Sequence, residues 1–227
     1  MSRSGNAASR LAQARGAFLG TRSRFRAFLS HAASTLVSPH YRGARWITAL
    51  ILILFVTQLL TGTLLSLYYH PDPASAHEST HFIIDNVPTG WLVRSIHAWS
   101  ADLLLILVVA HLLLVFLRRA YARPREYQWV VGVLLLVFTI AFRFTGRLLP
   151  WDEAGHAATL AGLNLLEEVP ILGDAAAQWL MGGDAFGAKS LGRFYTTHAL
   201  ILPWLVVFLV AVHVYLLLRH GLKGGDR

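Results

Sequence analysis

Four histidines lie within two long apolar segments of the chain, and their spacing is the feature that points most directly to chemistry. His97 and His111 are 14 residues apart in one segment, and His198 and His213 are 15 residues apart in the other. At about 100° per residue, 14 residues fall about 40° short of four helical turns and 15 fall about 60° past them. Each pair therefore shares one helix face, with its members roughly 21 to 22 Å apart. We expect the two helices to pack antiparallel and face to face.

The residue type narrows the chemistry to a metal held between imidazoles. A single histidine in a membrane span is more often a satisfied core residue than a ligand, but two pairs at matched spacing favour ligation. Imidazole without nearby carboxylate or thiolate suits heme iron, and two imidazoles fill both axial positions of an electron-transfer heme. Both segments are expected to run inward, so we predict that His97 pairs with His198 near the outer face. His111 and His213 would pair near the cytoplasmic face, because the hydrocarbon core is about 30 Å thick.

Composition and charge predict the elements that carry these histidines. The chain is 55% hydrophobic and 14% charged, whereas soluble domains have about 25% charged residues. Apolar segments predict four spans, at about 46–70, 91–118, 128–150 and 192–219. The fold class is therefore an all-α transmembrane four-helix bundle, with two hemes stacked across the membrane. Arginines dominate residues 1–45 and the link between the second and third spans, which places both termini on the cytoplasmic side.

Three regions follow along the chain. Residues 1–45 are predicted to be a basic amphipathic surface helix, residues 46–219 the di-heme domain, and residues 220–227 a cytoplasmic tail. The outer connection at about residues 151–192 is expected to contain short surface helices. Basic residues spread over loops that flank spans indicate lipid contact and not nucleic-acid binding. The absence of cysteine excludes disulfides, iron–sulfur ligation and any thioether-linked heme on this chain.

Glycines at the same spacing provide a second signal. Gly132 and Gly146 are 14 residues apart in the third span, and Gly62 in the first span follows Thr48 by 14 residues. A missing side chain gives room to a porphyrin edge. Ordinary helix–helix packing by small residues is the alternative interpretation.

Two arginines are candidates for heme propionates. Arg94 stands three residues before His97, at the outer end of the second span. Its alternative role is that of an interfacial anchor. Arg125 and its neighbours are similar candidates beside the cytoplasmic heme.

Several motifs give the chain a family resemblance. They are Gln58-x-x-Thr61-Gly62, Gly90-Trp91-Leu92-Val93-Arg94-Ser95-Ile96-His97-Ala98-Trp99-Ser100, Pro124-Arg125-Glu126, Thr145-Gly146-x-x-Leu149-Pro150-Trp151-Asp152 and Arg193-Phe194-Tyr195-x-x-His198. In order and spacing, over about residues 35–225, they resemble the cytochrome b family. The resemblance is closest to its b6 type, the split form that carries only the first four helices. The 15-residue spacing in the last span is also similar to the b6 type.

The resemblance implies a subunit of a quinol-oxidising cytochrome bc or b6f-type complex, which is an enzyme only as a whole. Quinol would be oxidised at the outer side, with one electron passing to a Rieske iron–sulfur protein. The other would cross through the two b-type hemes to a cytoplasmic-side quinone, generating proton-motive force. Further implied partners are a subunit IV-like chain carrying the Pro-Glu-Trp-Tyr motif and a cytochrome c or plastocyanin-like acceptor. The complex would be dimeric. The arginine-rich termini and the lack of an organelle signal favour a bacterial plasma membrane over a thylakoid membrane.

The resemblance also assigns an outer quinol pocket and exposes departures from the family pattern. The implied pocket contributors are Gly146, Arg147, Pro150, Trp151 and Asp152. Trp46 stands where the b6 type has the cysteine that tethers a third heme, so no covalent heme is expected here. Arg147 replaces an aromatic residue, and Arg143 and Asp102 replace small or neutral ones. An arginine there could hold an acid or a propionate or alter quinol protonation, and Asp102 could pair with one of them.

Two other functions compete with this interpretation. A di-heme membrane anchor of a formate dehydrogenase or hydrogenase would also have four helices and histidine ligands. The Pro-Trp-Asp stretch and the glycine pairs count against it. A structural membrane protein without redox chemistry would be colourless when purified.

Overall fold

The computed structural model describes residues 42–183 and 185–220, and all regular structure within them is helical. The elements are α1 (Arg42–Ser66), α2 (Ala76–Asp85), α3 (Gly90–Leu117), α4 (Glu126–Arg147), α5 (Glu153–Glu167), α6 (Gly173–Met181), α7 (Ala188–Thr196), a π turn (Thr197–Ile201) and α8 (Leu202–His220). The predicted all-α fold class is confirmed. The predicted surface helix in residues 1–45 falls almost wholly outside the described residues, as does the tail after residue 220.

Four helices are long and apolar enough to cross a membrane. They cover Trp46–Ser66, Gly90–Leu117, Glu126–Arg147 and Ala188–Arg219. The last of these, the fourth membrane helix, consists of α7, the π turn and α8. Large apolar side chains are exposed along all four, for example Ile53, Ile106 and Phe208. A hydrocarbon surround accepts such surfaces, since every backbone group is already bonded within its helix.

The direction of the helices corrects one expectation. The histidine helices α3 and α8 are separated by the single span α4, so they run in the same direction and not antiparallel. The rings confirm this, because His97 near the start of α3 faces His198 at the start of the fourth membrane helix. The predicted pairing is unchanged by this correction. Two parallel helices place the first histidine of one beside the first histidine of the other, and the second beside the second.

Short helices cover one end of the bundle, as expected for the long connection. The buried side chains of this cap are Leu148, Leu163, Ala177, Leu180 and Phe194. Burial of a large apolar side chain contributes roughly 1.5–3 kcal/mol, so the cap is a packed layer and not a free loop. It fixes where α4 ends and where the fourth membrane helix begins.

Candidate functional site

The site has two levels, and the first lies at the capped end of the bundle. The rings of His97 and His198, here the cap-side pair, face each other with 6.4 Å between their centres and 71° between their planes. Metal–imidazole bonds are about 2.0–2.1 Å long, and a ring nitrogen lies about 1.1 Å from its ring centre, so one ion between two rings requires roughly 6.3 Å. The observed separation fits a metal held by both imidazoles.

Two threonine hydroxyls orient these rings. Thr61 Oγ1 lies 2.8 Å from His97 Nδ1, and Thr145 Oγ1 lies 3.1 Å from His198 Nδ1. Each hydroxyl donates its own hydrogen to the carbonyl four residues earlier, on Thr57 at 2.6 Å and on Ala141 at 2.8 Å. A hydroxyl has one hydrogen, so each threonine accepts a hydrogen bond from Nδ1–H of its histidine. This assigns the tautomer that leaves Nε2 of both rings free to bind a metal.

Glycines stand directly against the same two rings. A Cβ atom on Gly62 would lie 3.2 Å from His97 Cε1, and one on Gly146 would lie 2.7 Å from His198 Cε1. The second distance is shorter than real carbon contacts allow, so a side chain at 146 would displace the ring. The glycines therefore act on the imidazoles themselves, in addition to any room they leave for a cofactor.

The second level lies further from the cap and is looser. His111 and His213, here the far-side pair, line one cavity of about 190 Å³. Gly132, Arg118 and Arg125 line the same cavity. His111 Nδ1 has a long contact of 3.5 Å with Thr48 Oγ1. His213 Nδ1 is buried without a well-formed hydrogen bond to any described residue, although the backbone of Gln128 lies beside the ring.

The fourth membrane helix departs from α geometry at the histidine itself. His198 lies inside the π turn Thr197–Ile201, where Leu202 N–H donates to Thr197 O. Pro203 follows directly. The sequence interpretation assumed a regular α-helix through this segment and did not include the turn.

Gln58 is a polar side chain at this level that spacing did not single out. Its Nε2 donates to His97 O at 2.7 Å and to Ser100 Oγ at 2.6 Å. These bonds join α1 to α3 at the level of the cap-side pair. The signal was present, since Gln58 belongs to a motif that also contains Thr61 and Gly62.

Of the two arginines predicted to bind propionates, one lies near each histidine level. Arg94 is half-buried, one helical turn before His97 in α3. Arg125 lines the far-side cavity. A guanidinium group carries five N–H donors, so these two positions are the ones to consider for an anionic group at each level.

The predicted quinol segment forms the turn from α4 into α5. Trp151 adopts a left-handed backbone with φ 53°, which is unusual for a bulky residue and is found mainly at constrained or functional turns. Its ring lies 4.4 Å from the ring of His156. Asp152 caps α5 by accepting from Gly155 N–H at 2.6 Å, so this carboxylate has a structural role. Arg147 is exposed at the end of α4.

Two side chains from the α1–α2 region hold the carbonyls before this turn. Tyr69 OH donates to Leu149 O at 2.6 Å, and His77 Nδ1 lies 3.3 Å from Pro150 O. Burial raises the pKa of Tyr69, and the neighbouring Tyr195 raises it further. The phenol therefore stays protonated and remains a donor at physiological pH.

The unusual charges inside the spans pair with each other. Arg143 of α4 donates to Asp102 of α3, and both side chains are partly exposed on the isolated chain. Asp102 lies between His97 and His111 along α3, so the pair sits between the two histidine levels. Among the described residues no cluster of three histidine or acidic side chains forms a metal site, and the candidate ligands are the two imidazole pairs.

Comparison with known proteins identifies the relatives. The family described as cytochrome b/b6/petB matches residues 32–221. Cytochrome b6 of Synechococcus sp. (strain JA-3-3Ab) is 36% identical over 197 residues, which cover 87% of this chain and 92% of that protein. Cytochrome b6 of Gloeobacter violaceus is 38% identical over 191 residues, covering 84% and 89%. A chain of a hyperthermophilic respiratory Complex III has a TM-score of 0.72 at 31% identity, covering 80% of this chain but only 50% of that one.

Proposed function

The chain belongs to the cytochrome b/b6 family, and from this premise we propose that its two histidine pairs hold two b-type hemes. It is an integral, multi-pass membrane protein and a cytochrome b subunit of a bc-type complex. The observation that carries the proposal is the facing geometry of His97 and His198, with 6.4 Å between ring centres. The second pair lines one cavity, about 21 Å further along the helices.

The side chains of this chain prepare the ligands. His97 and His198 would hold one iron through Nε2, because Thr61 and Thr145 take the Nδ1 hydrogens. Partners of this kind fix a ring and make it a more electron-rich ligand. A heme bound by two imidazoles supplies one-electron chemistry without an open coordination position.

The far-side pair would hold the second heme in its cavity. Here Gly132 lies against the site, and Arg125 provides a cation for an anionic propionate. Arg94 would do the same at the cap-side level, one turn before His97. These propionate-binding roles are inferred from position alone, because Arg94 lies near the cap-side level and Arg125 near the far-side level.

The capped end would carry the quinol site. Its contributors would be Gly146, Arg147, Pro150, Trp151 and Asp152, held in place by the bonds of Tyr69 and His77 to the preceding carbonyls. We infer that quinol is oxidised at this outer side and that electrons cross to a quinone at the cytoplasmic side. Both termini would then be cytoplasmic, in a bacterial plasma membrane.

The complex would supply the remaining parts. The chain spans about half the length of the Complex III chain that it matches. We propose that a subunit IV-like chain provides the missing helices and the Pro-Glu-Trp-Tyr motif. A Rieske iron–sulfur protein and a cytochrome c-type acceptor would take the other electron, in a dimeric complex. The family match favours this function over a formate dehydrogenase or hydrogenase anchor.

Ligand replacement tests the proposal. The complex containing the full chain is purified, and its b-type heme is counted by pyridine hemochrome and by reduced-minus-oxidised spectra. We expect two extractable hemes per chain, and one heme in each of the single variants His97→Leu and His111→Leu. His81→Leu, on the exposed face of α2, is the matched control and should retain both. Two hemes in either ligand variant would contradict the assignment.

A further inference from the structure

The irregular part of the fourth membrane helix lies between its two histidines. In the π turn the hydrogen bond of Leu202 N–H reaches five residues back, to Thr197 O. By contrast α3, which carries His97 and His111, is α-helical throughout Gly90–Leu117. The longer of the two separations, 15 residues against 14, is therefore the one that contains the π turn.

The one-residue difference creates a problem that regular helices cannot solve. In a regular helix, 14 residues leave the second histidine about 40° short of the first and 15 leave it about 60° beyond, a difference of about 100°. The two histidine helices run in the same direction and face each other at two levels. If their separations differed, one pair would face while the other pointed apart. The structure has both pairs together, His97 with His198 and His111 with His213 in one cavity.

A π turn removes this difference because it contains one residue more than an α turn. The 15-residue separation then acts as 14 residues of regular helix, with about 21 Å of rise and the same angular offset as in α3. Proline favours this arrangement. Pro203 has no N–H to donate, and in a regular helix its ring would clash with the carbonyl of Ala199, four residues earlier.

We propose that the π turn Thr197–Ile201 accommodates the extra residue and so keeps the two histidines of this helix in register with those of α3. Pro203 would fix the position of the turn at His198. The turn is a positioning element, since it acts on the facing of the histidines and not on substrate. This inference rests on the proposed heme ligation.

Single-residue deletions test it. Leu200 lies in the π turn with its side chain 54% exposed, and Val109 lies between the histidines of α3 with its side chain 47% exposed. Deleting Leu200 together with Pro203→Ala, which removes the clash of the proline ring, allows the turn to close to α geometry and leaves both histidines in register, so two hemes per chain should remain. Deleting Val109 rotates His111 against His97 by about 100°, so at least one heme should be lost. The readouts are the heme-to-protein ratio and the low-spin ferric EPR signals, measured on the purified complex.

Each outcome decides the question. Loss of heme when the deletion of Leu200 is combined with Pro203→Ala, or two hemes after deletion of Val109, overturns the register proposal while leaving the ligand assignment intact. A parent chain without two hemes overturns both proposals. If this double variant fails to accumulate, Ile201, which also lies in the π turn, is deleted in place of Leu200. Failure of this double variant to bind two hemes also overturns the proposal.

Discussion

The two histidine pairs consist of the same imidazole groups, but they differ in the hydrogen-bond partners of each ring. At the cap-side level, threonine hydroxyls lie 2.8 Å and 3.1 Å from the two Nδ1 atoms. At the far-side level, one contact stretches to 3.5 Å and His213 Nδ1 is buried without a well-formed bond to a described residue. A hydrogen-bond acceptor behind an imidazole makes it more electron-rich and stabilises the oxidised metal. The contacts therefore predict that the cap-side heme has the lower reduction potential.

The largest expected effect concerns the glycines that meet the rings. In Gly146→Ala the new Cβ would lie 2.7 Å from His198 Cε1, on a ring already held by Thr145. In Gly132→Ala the nearest atoms are Leu112 Cδ2 at 3.2 Å and His213 Cε1 at 3.6 Å. Overpacking costs roughly 1–3 kcal/mol where neighbours cannot move. We expect Gly146→Ala to lose the cap-side heme and Gly132→Ala to keep both, as measured by heme content and redox titration.

The reverse result would show that the far-side level is the tighter one. Equal loss in both variants would remove the difference in packing between the levels. Accumulation of each chain in the membrane serves as the folding control.

A smaller effect, on the reduction potential, is expected from removal of the hydrogen bond between Thr145 and His198. Thr145→Val keeps the shape of the side chain but removes the hydroxyl acceptor for His198 Nδ1–H, and leaves the backbone of Phe142 beside the ring. One hydrogen bond is worth about 0.5–1.5 kcal/mol, which for one electron corresponds to roughly 20–60 mV. The potential of the cap-side heme should rise by about this amount, and that of the far-side heme should stay constant. Thr139→Val, in the same helix but bonded only to Leu135 O, is the matched control. An equal shift in the control would contradict a local cause.

The sequence was sufficient for much of this comparison. Hydropathy gave four spans, because these depend only on the length of the apolar segments. Helical spacing, together with the inward direction of both segments, gave the pairing of His97 with His198. Residue spacing also identified Gly62 and Gly146, which the structure places against the rings.

Other features of the site depend on how the helices pack against each other, and the helical period of the sequence carries no information about this packing. The helix direction was predicted wrongly, although the chain order already required α3 and α8 to be parallel. The π turn was missed because the angular estimate assumed α geometry through residue 203. The hydroxyl contacts of Thr61 and Thr145 required the facing helices to be placed, although each threonine directly precedes a glycine that spacing had marked.

A threonine introduced at the far-side level should reproduce the hydroxyl contact that Thr145 makes at the cap-side level. Val131 is half-buried and directly precedes Gly132, as Thr145 directly precedes Gly146 in the same helix, 14 residues later. A threonine at 131 would occupy the place of the missing hydroxyl and could accept from His213 Nδ1–H, which lacks a well-formed partner among the described residues. Val131→Thr should lower the potential of the far-side heme by roughly 20–60 mV, whereas Val131→Ala should not. If the potential does not fall, the difference between the levels arises from the cavity and its arginines and not from the hydrogen bond.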